Sequence, residues 1–277
     1  MPLHAGKPIE RSRTMSLSDQ IAANLPYLRR YARALTGSQN AGDACVRAML
    51  EAVMADPDLM ASLADGRVPL YRAFTRVWTS ARLADAPASG AASEHEAGAQ
   101  LRLGAITPPA RQALLLTTLE DFTMAQAGAI MDRDEAEIAA LVAEAVAGIE
   151  REQKTTVLVI EDEPLIAMQL EDLVTGLGHT ICGTAATRTQ ARQVVAETMP
   201  GLVLADIQLA DGSSGLDAVD DILALGSVPV IFITAYPERL LTGDRPEPTY
   251  LVTKPFQEAT VRAAISQALF FRSSKPL

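Results

Sequence analysis

The sequence predicts two structural halves: an all-α N-terminal half and an α/β half built on a doubly wound parallel sheet. Three observations carry this. Up to about residue 150 the apolar residues recur at helical spacing. From Thr156 onward short β-branched runs alternate with amphipathic segments, as strands joined by crossover helices do. Between the two textures lies the polar stretch Glu150–Thr156 (EREQKTT), which reads as a hinge.

In the first half, residues 1–15 lack periodicity and are expected to be disordered, with Met15 an alternative start. Helices are expected over Ser18–Thr36, Ala41–Met54, Pro57–Ala64 and Val68–Ala84, making one helical domain over 16–85. Leu25, Leu28, Tyr31 and Leu35 face one way on the first helix; Leu70, Phe74 and Val77 do so on the fourth. Residues 86–105 are a linker: the run DAPASGAASEHEAGA (Asp85–Ala99) is small and polar, and only Gln100–Leu103 looks helical. A second helical domain over 106–150 is expected from Pro108–Leu119, Thr123–Met131 and Asp134–Arg151.

In the second half, over 155–270, TVLVI (Thr156–Ile160), GLVLA (Gly201–Ala205) and VPVIFI (Val228–Ile233) are unbroken apolar runs, typical of strands buried on both faces. Thr180–Ala185 and Thr249–Thr253 complete five strands. Helical patterns alternate with them at Pro164–Leu177, Thr187–Thr198, Gly215–Leu225, Pro237–Leu241 and Gln257–Phe271.

Composition narrows the function classes. With 48% hydrophobic and 21% charged residues among 277, the chain can bury a core and is not globally disordered. There is no apolar run of about 18 residues and no signal-peptide layout, so no membrane association is expected. Cys45 and Cys182 lie in different domains and His4, His95 and His179 cluster with nothing, which argues against a disulfide framework or a zinc site. A reduced, cytoplasmic protein is expected. The net charge of −10 divides as +3 over residues 1–90, −7 over 91–153 and −6 over 154–277. Nonspecific nucleic-acid binding by the whole molecule is therefore disfavoured.

Ligands of such sheets gather at the carboxyl ends of the strands. There the sequence places Glu161 and Asp162 after the first strand, Asp206 after the third, Thr234 after the fourth and Lys254 after the fifth. Three carboxylates repel one another unless a hard cation such as Mg2+ joins them. A metal-bound Asp206 can act as a nucleophile toward a phosphoryl group. Lys254 can then bind the phosphate and Thr234 can donate a hydrogen bond to it. A cis Lys254–Pro255 bond would aim the ammonium inward. Taken singly, EDE (Glu161–Glu163) can be a solvated turn, Asp206 a helix cap and Thr234 a strand-end hydrogen-bond partner; the conjunction is far more specific.

Over Thr155–Leu269 the motifs VIEDEP, LADIQLADGSSG, FITAY and TKPF resemble, in order, those of two-component receiver domains, which have a flavodoxin-like fold. The resemblance implies that Asp206 is the phosphoacceptor, supplied by a histidine kinase or phosphotransferase. It implies a Mg2+ site of Glu161, Asp162, Asp206 and the backbone carbonyl of Gln208, with Glu161 in place of the commoner Asp. The usual aromatic switch position on the fifth strand is Leu251 here. Tyr236, with Phe232, is a substitute switch, although both can equally be core or interface aromatics.

The helical half resembles extracytoplasmic-function sigma factors. Leu25–Ala44 and Val68–Leu83 are similar to region 2, and Ile106–Ala145 is similar to region 4. In a working region 4 the recognition helix offers Lys and Arg to phosphates and bases. Here it reads Ile138-Ala139-Ala140-Leu141, with Ala139 and Leu141 where the family usually carries Lys and Arg. Asp134 and Glu137 form a capping-box-like start, so the helix itself should be well made. Across Leu119–Glu150 one Arg stands against eight acidic residues, a surface that should repel DNA. Ala139 and a partly exposed Leu141 are candidate partner contacts. Arg29, Arg30, Arg33, Arg72 and Arg76 can form a remnant nucleic-acid patch, meet an acidic partner, or pair within the chain.

A sigma-like half joined to a receiver in this order resembles the PhyR family of alphaproteobacterial general stress regulators. The resemblance implies an anti-anti-sigma factor: closed by contact between receiver and sigma-like half, and on phosphorylation of Asp206 free to sequester an anti-sigma factor of the NepR type. The usual output face of a receiver is its fourth helix, fifth strand and fifth helix. The alternative is a phosphorylation-controlled DNA-binding transcription factor or true sigma factor.

Overall fold

The computed structural model describes residues 17–84, 109–149, 154–209, 211–237, 240 and 248–273. The expected disordered segment 1–15, the linker 86–105 and positions 238, 239 and 241 of the expected Pro237–Leu241 helix lie outside the described residues.

The helical half contains α1 (Leu17–Thr36), α2 (Gln39–Ala55), α3 (Pro57–Ser62), a 3-10 turn (Leu63–Asp65), α4 (Arg67–Ala84), α5 (Pro109–Thr118), α6 (Met124–Met131) and α7 (Glu135–Ile149). Their starts follow from local chemistry. Asp56 accepts from the amides of Asp58 and Leu59 to begin α3. Thr123 and Gln126 close a reciprocal capping box on α6. Asp134 and Glu137 do the same on α7, at 2.8 and 2.9 Å, as the sequence predicts. The expected third helix ends early, because the chain tightens into the 3-10 turn before Gly66 at φ 99°.

Aromatic packing joins α1, α4 and the loop before α6: Tyr31 meets Tyr71 and Phe74 at ring distances of 5.4 and 5.8 Å, and Tyr71 meets Phe122 at 4.9 Å. The basic residues singled out from the sequence are all paired within the chain. Arg33 and Arg29 grip Asp43 at 2.8 and 3.1 Å. Burial pushes the Asp43 carboxyl up, but the two guanidinium groups outweigh it and hold it below the ordinary carboxylate range. Arg72 and Arg76 reach Asp132, and Arg30 binds Glu120.

The second half contains β1 (Thr156–Ile160), α8 (Pro164–Gly176), β2 (Thr180–Ala185), α9 (Arg188–Glu197), β3 (Leu202–Ala205), α10 (Gly215–Leu223), β4 (Val230–Thr234), β5 (Tyr250–Thr253) and α11 (Glu258–Ser273). All strand pairs are parallel and the order is β2-β1-β3-β4-β5, the doubly wound arrangement expected. Alternate strand residues serve the two faces. Leu158, Ile160, Val203, Ala205, Phe232 and Leu251 pack with α9 and α10. Val157, Val159, Leu202, Leu204, Ile231, Ile233 and Val252 pack with α8 and α11, in a core continuous with that of the helical half.

The halves meet where α11 and β5 lie against α1 and α5. Hydrogen bonds that cross the seam include Thr260 Oγ1 to Thr118 O at 2.8 Å, Gln267 Nε2 to Ala34 O at 2.9 Å, Arg111 Nη1 to Ser266 Oγ at 2.6 Å and Arg30 Nη1 to Thr253 Oγ1 at 3.4 Å. Ser266 and Gln267 are buried there. The Phe271 ring lies against Gly37, whose φ is 66° and where an added Cβ would stand 2.3 Å from the ring. Gly37→Ala therefore meets both a clash and a left-handed backbone, costing about 1–2 kcal/mol from the backbone alone. Amide exchange in α11 and the end of α1 should accelerate by about tenfold or more. Unchanged exchange in both helices would remove Gly37 from the seam's energetics.

Candidate functional site

The strand order brings the ends of β1, β3, β4 and β5 to one rim. β1 delivers Glu161 and Asp162, β3 delivers Asp206, β4 ends on Thr234, and β5 leads into Lys254. The rim borders an open cleft of about 500 Å³ lined by Asp162, Glu163, Asp206, Gln208, Leu209, Ala235, Tyr236 and Lys254.

Lys254 is the centre of the charge balance. Its ammonium donates to Asp206 Oδ2 at 2.6 Å and Glu161 Oε2 at 2.8 Å, with Glu163 Oε1 at 3.7 Å. The Lys254–Pro255 bond is cis, and the Lys254 amide donates to Thr234 O at 2.8 Å. Burial alone would lower the lysine's pKa, but pairing with Asp206 and Glu161 outweighs it and the net shift is upward. Glu161 is 2% exposed, and its burial pushes the carboxyl up even against Lys254. The other oxygen of Asp206 accepts from the amides of Ile207 at 2.5 Å and Gln208 at 3.3 Å, fixing the side chain.

Ligand oxygens of Glu161, Asp162 and Asp206 can come within 4.8 Å of one another. Three hard, close oxygen donors fit a small divalent cation such as Mg2+, which has the same electrostatic task that Lys254 performs for two of them. Thr234 is fully buried, and its hydroxyl accepts from the Tyr236 amide at 3.1 Å.

The remaining candidates separate. Tyr236 is 44% exposed and lines the cleft, whereas Phe232 is buried in the core beside Leu240 and Leu251. The cleft thus gathers Tyr236 and not Phe232. On α7, Ala139 is exposed, Leu141 is half-buried against the helical core, and Glu135, Glu137 and Glu144 are exposed. No described helix is long and apolar enough to cross a membrane.

Two residues of the site escaped sequence reasoning. Glu163 adds a third carboxylate near Lys254, and the EDE run held that signal. Gly215 is the second: an added Cβ would lie 1.7 Å from the backbone oxygen of Asp206, so only glycine lets α10 begin this close. The DGSSG run marks a turn without showing which glycine is obligatory.

Three family descriptions match in chain order: the sigma2 domain of PhyR over residues 21–75, the sigma-like domain of the response regulator PhyR over 103–152, and the response regulator receiver domain over 157–266. The phyllosphere-induced regulator PhyR of Methylorubrum extorquens is 54% identical over 263 residues, covering 94% of this chain and 97% of that protein. The crystal structure of the anti-anti-sigma factor PhyR from Bartonella quintana is similar at 49% identity and a TM-score of 0.79, covering 93% of this chain and 97% of that one. A co-crystal structure of the Bartonella quintana PhyR with the anti-sigma factor NepR matches at 48% identity and a TM-score of 0.38, covering 93% and 100%. With its helical half, its parallel sheet and the acidic rim on one chain, and with relatives alike over most of its length, this protein belongs to the PhyR family of response regulators.

Proposed function

We propose that the protein is a phosphorylation-activated anti-anti-sigma factor, a sigma mimic that sequesters an anti-sigma factor of the NepR type and so frees a general stress sigma factor. The observation that carries it is the coexistence of an acidic rim with a sigma-like half whose region 4 helix has Ala139 and Leu141 at the usual basic positions and exposed glutamates around them. The Bartonella quintana relative is described as an anti-anti-sigma factor and is seen complexed with NepR. Within this reading the functional units are the sigma region 2-like domain 16–85, the region 4-like domain 106–150 and the receiver 155–270, and the setting is cytoplasmic.

Asp206 is the acceptor. One carboxylate oxygen attacks the phosphorus of a phosphohistidine on a kinase or phosphotransferase; the N–P bond breaks as the O–P bond forms, and the imidazole keeps the electron pair. Glu161, Asp162, Asp206 and the Gln208 carbonyl would hold a Mg2+, which when bound would neutralise part of the phosphoryl charge. Lys254, which holds Asp206 and Glu161 in the unmodified protein, moves its ammonium to a phosphoryl oxygen. Thr234 turns its hydroxyl from accepting the Tyr236 amide to donating to the phosphoryl group, which draws the Tyr236 loop inward. Tyr236 is the switch residue of this reading, and Phe232 supports it from the core. Ala139 and Leu141 belong to the partner surface.

Shifting a two-state equilibrium from 1:99 to 99:1 takes about 5.5 kcal/mol. Two charge-assisted contacts to the phosphoryl group together with loosened seam contacts are of that order.

Chelation tests the metal requirement. With acetyl phosphate as donor, EDTA should abolish phosphoryl uptake at Asp206, and added Mg2+ should restore it; unimpaired uptake in EDTA rules out the acidic cluster as a metal site. A DNA-binding regulator would instead need a basic reading helix. Promoter retardation by the activated protein, absent any anti-sigma factor, would support that alternative.

A further inference from the structure

At the seam between the halves, one buried carboxylate carries two guanidinium groups. Glu120, 1% exposed, takes Arg30 Nε and Nη2 on Oε1 at 3.1 and 2.8 Å, and Arg67 Nη2 and Tyr71 OH on Oε2 at 3.1 and 2.6 Å. Two cations on one anion leave an unbalanced positive charge. The donors also outnumber the acceptors. Among the described residues Arg30 Nη1 has only the hydroxyl of Thr253 at 3.4 Å, near the limit of a hydrogen bond, and Arg67 Nε is buried with no acceptor.

These groups border a cavity of about 360 Å³ between the halves, lined from the helical side by Asn24, Tyr27, Arg30 and Arg67 and from the receiver by Thr253 and Gln257. Asp121 also lines it but pairs with neither guanidinium. Arg67 is 39% exposed at its side chain, so the seat opens to solvent.

We propose that this donor-rich notch of Arg30 and Arg67 is the seat for a carboxylate side chain of the anti-sigma partner, filled when the receiver withdraws Thr253. The inference rests on the partner-switching reading above. Thr253 supplies one neutral, distant acceptor, and a carboxylate supplies two charged ones that match the two guanidinium edges. The partner thereby gains an interaction that the receiver makes only weakly, at the place the receiver must vacate. Arg30 is held by Glu120 in either state, so the seat is formed before the partner arrives.

The test uses the full chain, activated with acetyl phosphate and Mg2+, and a purified NepR-type anti-sigma factor at low and high salt. Arg67→Gln should weaken binding about tenfold or more and flatten its salt dependence, while Arg67→Lys recovers part of the loss. Replacing one partner Asp or Glu by its amide should cause a similar loss, and none further when combined with Arg67→Gln. The partner-side series stands even if Arg67→Gln fails to fold. Wild-type binding that neither Arg67→Gln nor any partner amide variant alters overturns the seat alone. Competition by millimolar acetate on the free protein, with no effect of partner variants, would make it a small-anion site and overturn the proposal. Absence of binding by the activated wild type overturns the partner-switching reading and the seat with it.

Discussion

Asp206→Ala is expected to leave the protein folded and closed, and to erase every effect of a phosphodonor on anti-sigma binding. The removed carboxylate is the phosphoryl acceptor of the proposed mechanism, so no hydroxylamine- and alkali-labile acyl phosphate should be recovered on the chain. Lys254 keeps Glu161 at 2.8 Å after the loss of Asp206, which is why the rim should survive the substitution. Full activation moves the closed-to-open ratio by up to about 10⁴, so the difference between wild type and variant can span several decades of apparent affinity. Calorimetric titration with and without acetyl phosphate reads it directly. A full donor response in the variant would place the switch elsewhere.

The second large effect lies far from the rim, at Glu120. Glu120→Ala leaves Arg30 and Arg67 buried or half-buried without their carboxylate and strands the Tyr71 hydroxyl. Removing one member of a buried ionic cluster costs about 3–5 kcal/mol, because the partners remain desolvated. In a chain of this size that corresponds to a fall in melting temperature of roughly 10 °C. Glu120→Gln, which retains one acceptor oxygen, should fall between alanine and wild type. A melting temperature within about 2 °C of wild type for the alanine variant would show that water enters and solvates the two arginines. The direction of the Tyr71 shift fits the first picture: burial, then Glu120, holds its hydroxyl well above the ordinary tyrosine value, so it stays a donor at any working pH.

Legibility in the sequence followed the range of the interactions. β1 and β2 match their expected spans to the residue, since an apolar run bounded by polar turns is a local signal. β4 starts two residues later than VPVIFI suggests: Pro229 has no amide to give the ladder, and only its carbonyl is used, by the Val203 amide. The acidic rim was legible because every member follows a strand end, and topology alone carries such residues to one place. Glu120 was not legible. Its partner Arg30 is 90 residues away, and a single Glu at a helix end resembles any solvated one. The Phe271–Gly37 contact was hidden likewise: helical periodicity assigns Phe271 to an apolar face without naming what covers it.

The two faces of the sheet differ in whom they belong to. The side bearing α9 and α10 has a hydrophobic cluster of its own, while the side bearing α8 and α11 shares one with the helical half. The closed protein should accordingly melt as a single cooperative unit, although it is built from separable parts. Release as proposed above would divide that unit: the receiver would keep one private core as an anchor for its fold and surrender only the shared one. On the proposed mechanism activation is a change in the number of folding units, and the sheet's untouched side is what would let the receiver survive it.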